Sequence, residues 1–113
     1  MYSKKLIKKA HKATLYNEKT ILKSNRGVCF YCGYQFNPHK EYFLNWVDFK
    51  SPQGKTLLCP LCYADAVIGS ASQLPITKRS FLRKCSFHWF GGYSRISNNF
   101  PIEALKVNYI EVD

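Results

Sequence analysis

Two Cys-x-x-Cys motifs, Cys29-Phe30-Tyr31-Cys32 and Cys59-Pro60-Leu61-Cys62, stand 26 residues apart in this chain. One such motif presents two sulfurs to the same side of a metal from a tight turn, and a second completes a tetrahedral thiolate shell. A shell supplied from two separated points forces the intervening chain into a closed excursion, for which a β-hairpin is the economical solution. The spacing therefore predicts one zinc ion held by Cys29, Cys32, Cys59 and Cys62. Four sulfurs leave no position open for water or substrate, so the expected zinc is structural. An iron–sulfur cluster also takes four cysteines, but the knuckle chemistry around these pairs favours zinc. A redox motif would need one pair only, normally after a βαβ pattern.

The remaining totals agree with a metal-stapled domain. A chain of 113 residues suits one small domain with a marginal core, and small domains commonly add such a staple. With 46% hydrophobic and 16% aromatic residues it reads as folded. Five cysteines make an odd count, unlike most secreted disulfide frameworks. The stretch from Met1 to Lys12 carries charges throughout and has no apolar core of a signal peptide. No apolar run reaches the roughly 18 residues of a membrane span. The expectation is a reduced, cytoplasmic protein. Cys85, the fifth cysteine, reads as a buried thiol.

Three sections are expected: a basic helical segment over 1–26, a zinc domain with its following helix over 27–92, and a C-terminal extension over 93–113 that packs on it. Ser3 is placed to cap a helix carrying Leu6, Ile7, Ala10 and Ala13 on one face. A second short helix is expected around Lys19 to Ser24. Residues 27–34 read as a strand entering a knuckle, with Gly33 supplying the turn. Residues 41–49 read as a strand apolar on both faces. After the second cysteine pair, Ala64, Val67, Ile68 and Ala71 recur at helical spacing and predict a helix. A last helix is expected, capped by Thr77 and ended by Gly91-Gly92, with Phe81, Leu82, Cys85, His88 and Trp89 inward and Lys78, Arg79, Arg83 and Lys84 outward. Residues 107–112 suggest a final strand, and no internal repeat is visible. A knuckle, a hairpin and a helix with ligands in its first turn make a treble clef. The expected class is α+β, a small zinc-stabilised treble-clef or HNH-like ββα domain with flanking helices.

Formal net charge is +10, from 17 Lys+Arg against 7 Asp+Glu, which favours anionic partners. Lys4, Lys5, Lys8, Lys9 and Lys12 are candidate anion contacts. Among the histidines, His11 reads as solvated and His88 as packed beside Trp89. His39 lies between the cysteine pairs, where a catalytic base would sit, yet no Asp-His pair, HxE or HExxH motif accompanies it. Metal-dependent hydrolysis needs an open metal with acid or base neighbours, so no catalytic residues are assigned and no enzyme is expected.

The order helix, CxxCG, strand, LLCPLC, helix resembles the zinc-supported ββα-metal nucleases of the HNH kind. Their base and metal-binding histidines have no counterpart in residues 43–49 or 63–68. The chain is more similar to the catalytically silent HNH-like family of type IVB secretion systems known as IcmJ or DotN. The residues that carry the likeness are Cys29 to Tyr34, Asn45 and Asp48, Cys59 to Cys62, Leu74-Pro75-Ile76-Thr77, and the helix from Phe81 through Cys85 to Phe90, over roughly residues 20–92. The resemblance implies a non-enzymatic adaptor that attaches to the ATPase of a type IV secretion or conjugation coupling complex, on the cytoplasmic face of the inner membrane. Phe43, Trp46, Trp89 and Phe90 are of types favoured at interface hot spots and are the candidate partner contacts. Two alternatives stand beside this: a nucleic-acid-binding zinc module of ribosomal, phage or transcription-associated kind, and an HNH-type endonuclease with His39 as base.

Overall fold

The structure is a computed structural model in which residues 2–90 are described. Helix α1 (Lys4–Lys12) starts where the Ser3 hydroxyl oxygen accepts the Leu6 N–H at 3.1 Å, satisfying one of the donors a helix start leaves free. Ile7 and Ala10 are buried, while the lysines of α1 face outward. The Thr14 hydroxyl donates to the His11 carbonyl at 2.6 Å as the helix ends. Helix α2 (Glu18–Leu22) is held to the later chain by a reciprocal pair. The Glu18 N–H donates to the Lys55 carbonyl, and the Lys55 N–H donates to the Glu18 carboxylate, each at 3.0 Å.

Among the described residues, five short strands form two antiparallel sheets. β1 (Gly27–Cys29) lies between β2 (Gln35–Phe36) and β5 (Val67–Gly69). β3 (Asn45–Val47) pairs with β4 (Thr56–Leu58), Asn45 facing Leu58 and Val47 facing Thr56. The excursion between the cysteine pairs thus contains the expected hairpin. Its first strand is far shorter than the expected 41–49. β4 offers only three residues before the second knuckle, so Tyr42 and Phe43 have nothing to pair with and stand exposed.

The helix expected after Cys62 is replaced by β5. Val67 and Ile68 are β-branched and fully buried, and they pair with Cys29 and Val28 along the free edge of β1. Gly69 closes this strand where a Cβ would lie 2.4 Å from the Ser24 hydroxyl oxygen. Ala71, expected on the apolar stripe, is exposed in a 3-10 turn, Ser70–Ser72. The second pair therefore leads into a strand, and lacks the helix with ligands in its first turn that marks a treble clef.

Buried Asn17 ties the two sheets together. Its amide donates to the Val67 carbonyl of β5 and its carbonyl oxygen accepts the Leu57 N–H of β4, both at 3.0 Å. Helix α3 (Arg79–Phe90) begins one residue later than a Thr77 cap would set and packs beside α1. Tyr2 bonds Ser80 at 2.7 Å and meets Phe81 edge-on, while His11 stacks on Trp89 with centroids 4.6 Å apart. Contacts start to start and end to end mean that the two helices run the same way. Phe81, Leu82, Cys85 and Ser86 are its buried residues, and His88, expected inward, is exposed. Ile7 and Ala10 of α1 and Ile21 of α2 belong to the same core. The expected stop at Gly91-Gly92, the strand at 107–112 and the extension over 93–113 lie outside the described residues.

Candidate metal centre

Both knuckles are built the same way, thirty positions apart. The Gly33 N–H donates to the Cys29 carbonyl at 2.8 Å, and the Cys29 N–H to the Tyr34 carbonyl at 3.0 Å. The Tyr63 N–H donates to the Cys59 carbonyl, and the Cys59 N–H to the Ala64 carbonyl, each at 2.9 Å. The residue after each second cysteine is left-handed, Gly33 at φ 86° and Tyr63 at φ 66°. No repeat is legible in the side chains beyond the cysteines, yet the backbone repeats. Each knuckle sits at the end of a strand, β1 for the first and β4 for the second, and the chain leaves it for β2 or β5.

The sulfurs meet crosswise. Cys29 Sγ lies 3.6 Å from Cys62 Sγ, and Cys32 Sγ lies 3.7 Å from Cys59 Sγ. All four lie within 4.8 Å of one another, and none is in a disulfide. A tetrahedron of metal–sulfur bonds of about 2.3 Å has edges of about 3.8 Å. The four cysteines therefore fit a single metal ion, and sulfurs this close leave no room for a cluster of several irons. The N–H groups of Leu61 and Cys62 both point at Cys59 Sγ at 3.4 Å, which favours a thiolate there.

Proton affinities divide between the knuckles. Hydrogen bonds from Cys29 and Cys32 hold the Cys59 thiol below its ordinary value, and bonds from Cys29, Cys32 and then Cys59 do the same for Cys62. Burial pushes Cys29 well up. Four sulfurs this close, three of them on buried cysteines and Cys62 half-buried, cannot all be charged together without a cation, and a divalent ion takes the place of the protons. Cys85 stays apart from the cluster. Burial raises its thiol to about 12, an inert position.

The other expected site residues are dispersed. Lys4, Lys5, Lys8, Lys9 and Lys12 are all exposed on α1. Phe43 is 68% exposed, whereas Trp46 is half-buried against the core. Trp89 is taken up by His11 and Phe30, and Phe90 by Phe30 and Tyr31, so both are occupied in internal packing. His39 is exposed, its N–H bonded to the Asn37 side chain at 2.9 Å. Its ring is not part of the cysteine cluster. His11, expected in solvent, is half-buried in its stack on Trp89.

Three large side chains that the sequence pattern did not single out as contacts, Tyr42, Leu61 and Tyr63, flank the end of the β3–β4 hairpin that leads to the second knuckle. Beyond Asn45 and Leu58 the two chains of the hairpin part, one leading back to Phe43 and Tyr42, the other forward to Leu61 and Tyr63. Tyr42 is fully exposed, Tyr63 is 65% exposed and Leu61 is 40% exposed. The available signal was the CPLC motif itself, which brings Leu61 to the tip of a tight turn. No protein-family model, no curated protein and no solved structure matches this chain. Among the described residues, no helix is long and apolar enough to cross a membrane.

Proposed function

We propose that this chain is a non-enzymatic adaptor, stapled by one structural zinc, that docks a protein partner on the apolar end of the β3–β4 hairpin. The observation that carries this reading is the exposure of Tyr42 and Phe43, which precede β3, and of Leu61 and Tyr63, which flank the metal-ligating position Cys62 after β4. Large apolar side chains grouped in solvent mark interaction sites more often than scattered ones do, and aromatic residues dominate hot spots. Tyr63 adds a second argument. It holds a left-handed conformation where the first knuckle uses glycine, at a cost of about 1–2 kcal/mol. Strain of this kind tends to persist where a side chain serves a function. Zinc is the ion best matched to four thiolates in a closed tetrahedral shell, and such a shell supports folding rather than catalysis.

The resemblance to the IcmJ/DotN family supplies the first partner to test, the coupling ATPase of a type IV secretion or conjugation complex at the inner membrane. The tagged protein is isolated from its native cell after nuclease treatment and a high-salt wash, and its partners are identified by mass spectrometry. The ATPase is expected to remain bound, and the double variant Phe43→Ser, Tyr63→Ser is expected to release it while retaining its zinc. Absence of the ATPase from the wild-type complex, or its undiminished binding to the variant, would refute the reading.

A further inference from the structure

Among the described residues, a dense run of positive charge lies on the helix pair rather than at the hairpin. Lys5, Lys8, Lys9 and Lys12 fall at i, i+3, i+4 and i+7 and line one shallow groove along α1. Lys4 precedes them, and α1 contains no acidic residue. Lys4–Lys8, Lys5–Lys9 and Lys8–Lys12 are like-charged pairs four residues apart, which destabilise a helix. Lys4 and Lys5 also occupy the first turn, where the helix dipole disfavours cations. The described carboxylates are placed elsewhere. Glu18 accepts from the Lys55 N–H, Glu41 from the Tyr34 hydroxyl and Asp48 from the Lys50 N–H, and Asp65 is exposed just past the second knuckle. The helix thus maintains a self-repelling stripe that nothing within these residues neutralises.

A second cationic surface lies on α3. Arg79, Ser80, Arg83, Lys84 and Phe87 line a common cleft, and Phe87 is 69% exposed. An aromatic ring set among cations offers a stacking platform for an unpaired base together with charges for its phosphates. α1 and α3 pack side by side and run the same way, so the two cationic faces belong to one packed helix pair.

From these two surfaces we infer that the α1–α3 helix pair binds single-stranded nucleic acid without sequence preference, the α1 lysines neutralising backbone phosphates and Phe87 stacking on a base. Lysine ammonium groups act on phosphates as point charges. A membrane surface fits less well. A helix that lies in the bilayer interface needs its apolar face free, whereas Ile7 and Ala10 of α1 are in the core. The inference rests on residues separate from the hairpin patch and stands whether or not a protein partner docks there.

The test uses the full-length, zinc-loaded protein and a fluorescently labelled 20-nucleotide oligo-dT, read by anisotropy over a salt series. For about five phosphate contacts, the logarithm of affinity falls with the logarithm of salt at a slope of about −3.5, a loss of roughly 100-fold between 50 and 200 mM. The variant Lys5→Gln, Lys8→Gln, Lys9→Gln, Lys12→Gln is expected to flatten the slope to about −0.7. Phe87→Ala, an exposed change, is expected to weaken oligo-dT binding about tenfold and to leave the salt slope unchanged. Zinc content and circular dichroism check that each variant is folded. An unchanged slope in the lysine variant, unchanged affinity in Phe87→Ala, tighter binding to duplex than to single strand, or binding to phosphatidylserine vesicles without binding to oligo-dT would each overturn the inference.

Discussion

Gly33 and Tyr63 hold the same place in two knuckles and meet the same backbone demand in different ways. Glycine adopts positive φ without steric cost, whereas a tyrosine there brings its Cβ against the carbonyl oxygen. Replacing Tyr63 with Gly relieves that contact and adds some unfolded-chain entropy. The expected net gain is about 0.5–1 kcal/mol, read as a higher guanidinium midpoint of the metal-loaded protein. A midpoint that falls would mean that the Tyr63 side chain holds the knuckle together, and strain at this position would no longer point to partner binding.

Among the elements, Asn17 governs how the two sheets meet. It bonds Leu57 in β4 and Val67 in β5, the two strands that enter and leave the second knuckle. Asn17→Ala leaves a buried N–H and a buried carbonyl without partners, at about 1–3 kcal/mol for each such group. The expected loss is about 2–4 kcal/mol in chemical denaturation, far beyond that of an exposed Asn25→Ala control. A loss below about 0.5 kcal/mol would show that the two sheets are held by their side-chain packing and the metal alone.

At the scale of the molecule, the cysteine cluster joins the two sheets of the described residues, of three and two strands, none of these strands longer than three residues. Sheets this small have little independent stability. A structural zinc contributes on the order of 10 kcal/mol to folding, comparable to the entire stability of a small domain. Removing the metal with a chelator is expected to abolish cooperative unfolding, seen as loss of the near-ultraviolet circular dichroism of the packed aromatic residues. Restoring zinc should recover it. A chelated protein that still melts cooperatively would show that Phe30, Phe81, Leu82 and their neighbours suffice as a core.

The residues alone specified the four-cysteine centre, because metal coordination is local chemistry read from residue type and spacing. They also specified the Ser3 cap, the short second helix and the amphipathic last helix, all of which depend on neighbours within a turn or two. Everything of longer range was decided across the fold. The stretch from Ala64 to Ala71 satisfies a helical period, but the free edge of β1 takes Val67 and Ile68 as a strand, since pairing there satisfies backbone groups that would otherwise be buried without partners. The exposure of Tyr42 and Phe43 results from the brevity of a strand met a dozen residues later. Trp89 and Phe90, as surface-ready as Phe43 by composition, are absorbed by Phe30, Tyr31 and His11 because α3 packs beside α1. Side-chain type states what a residue prefers, and the partners brought by tertiary folding settle which preference prevails.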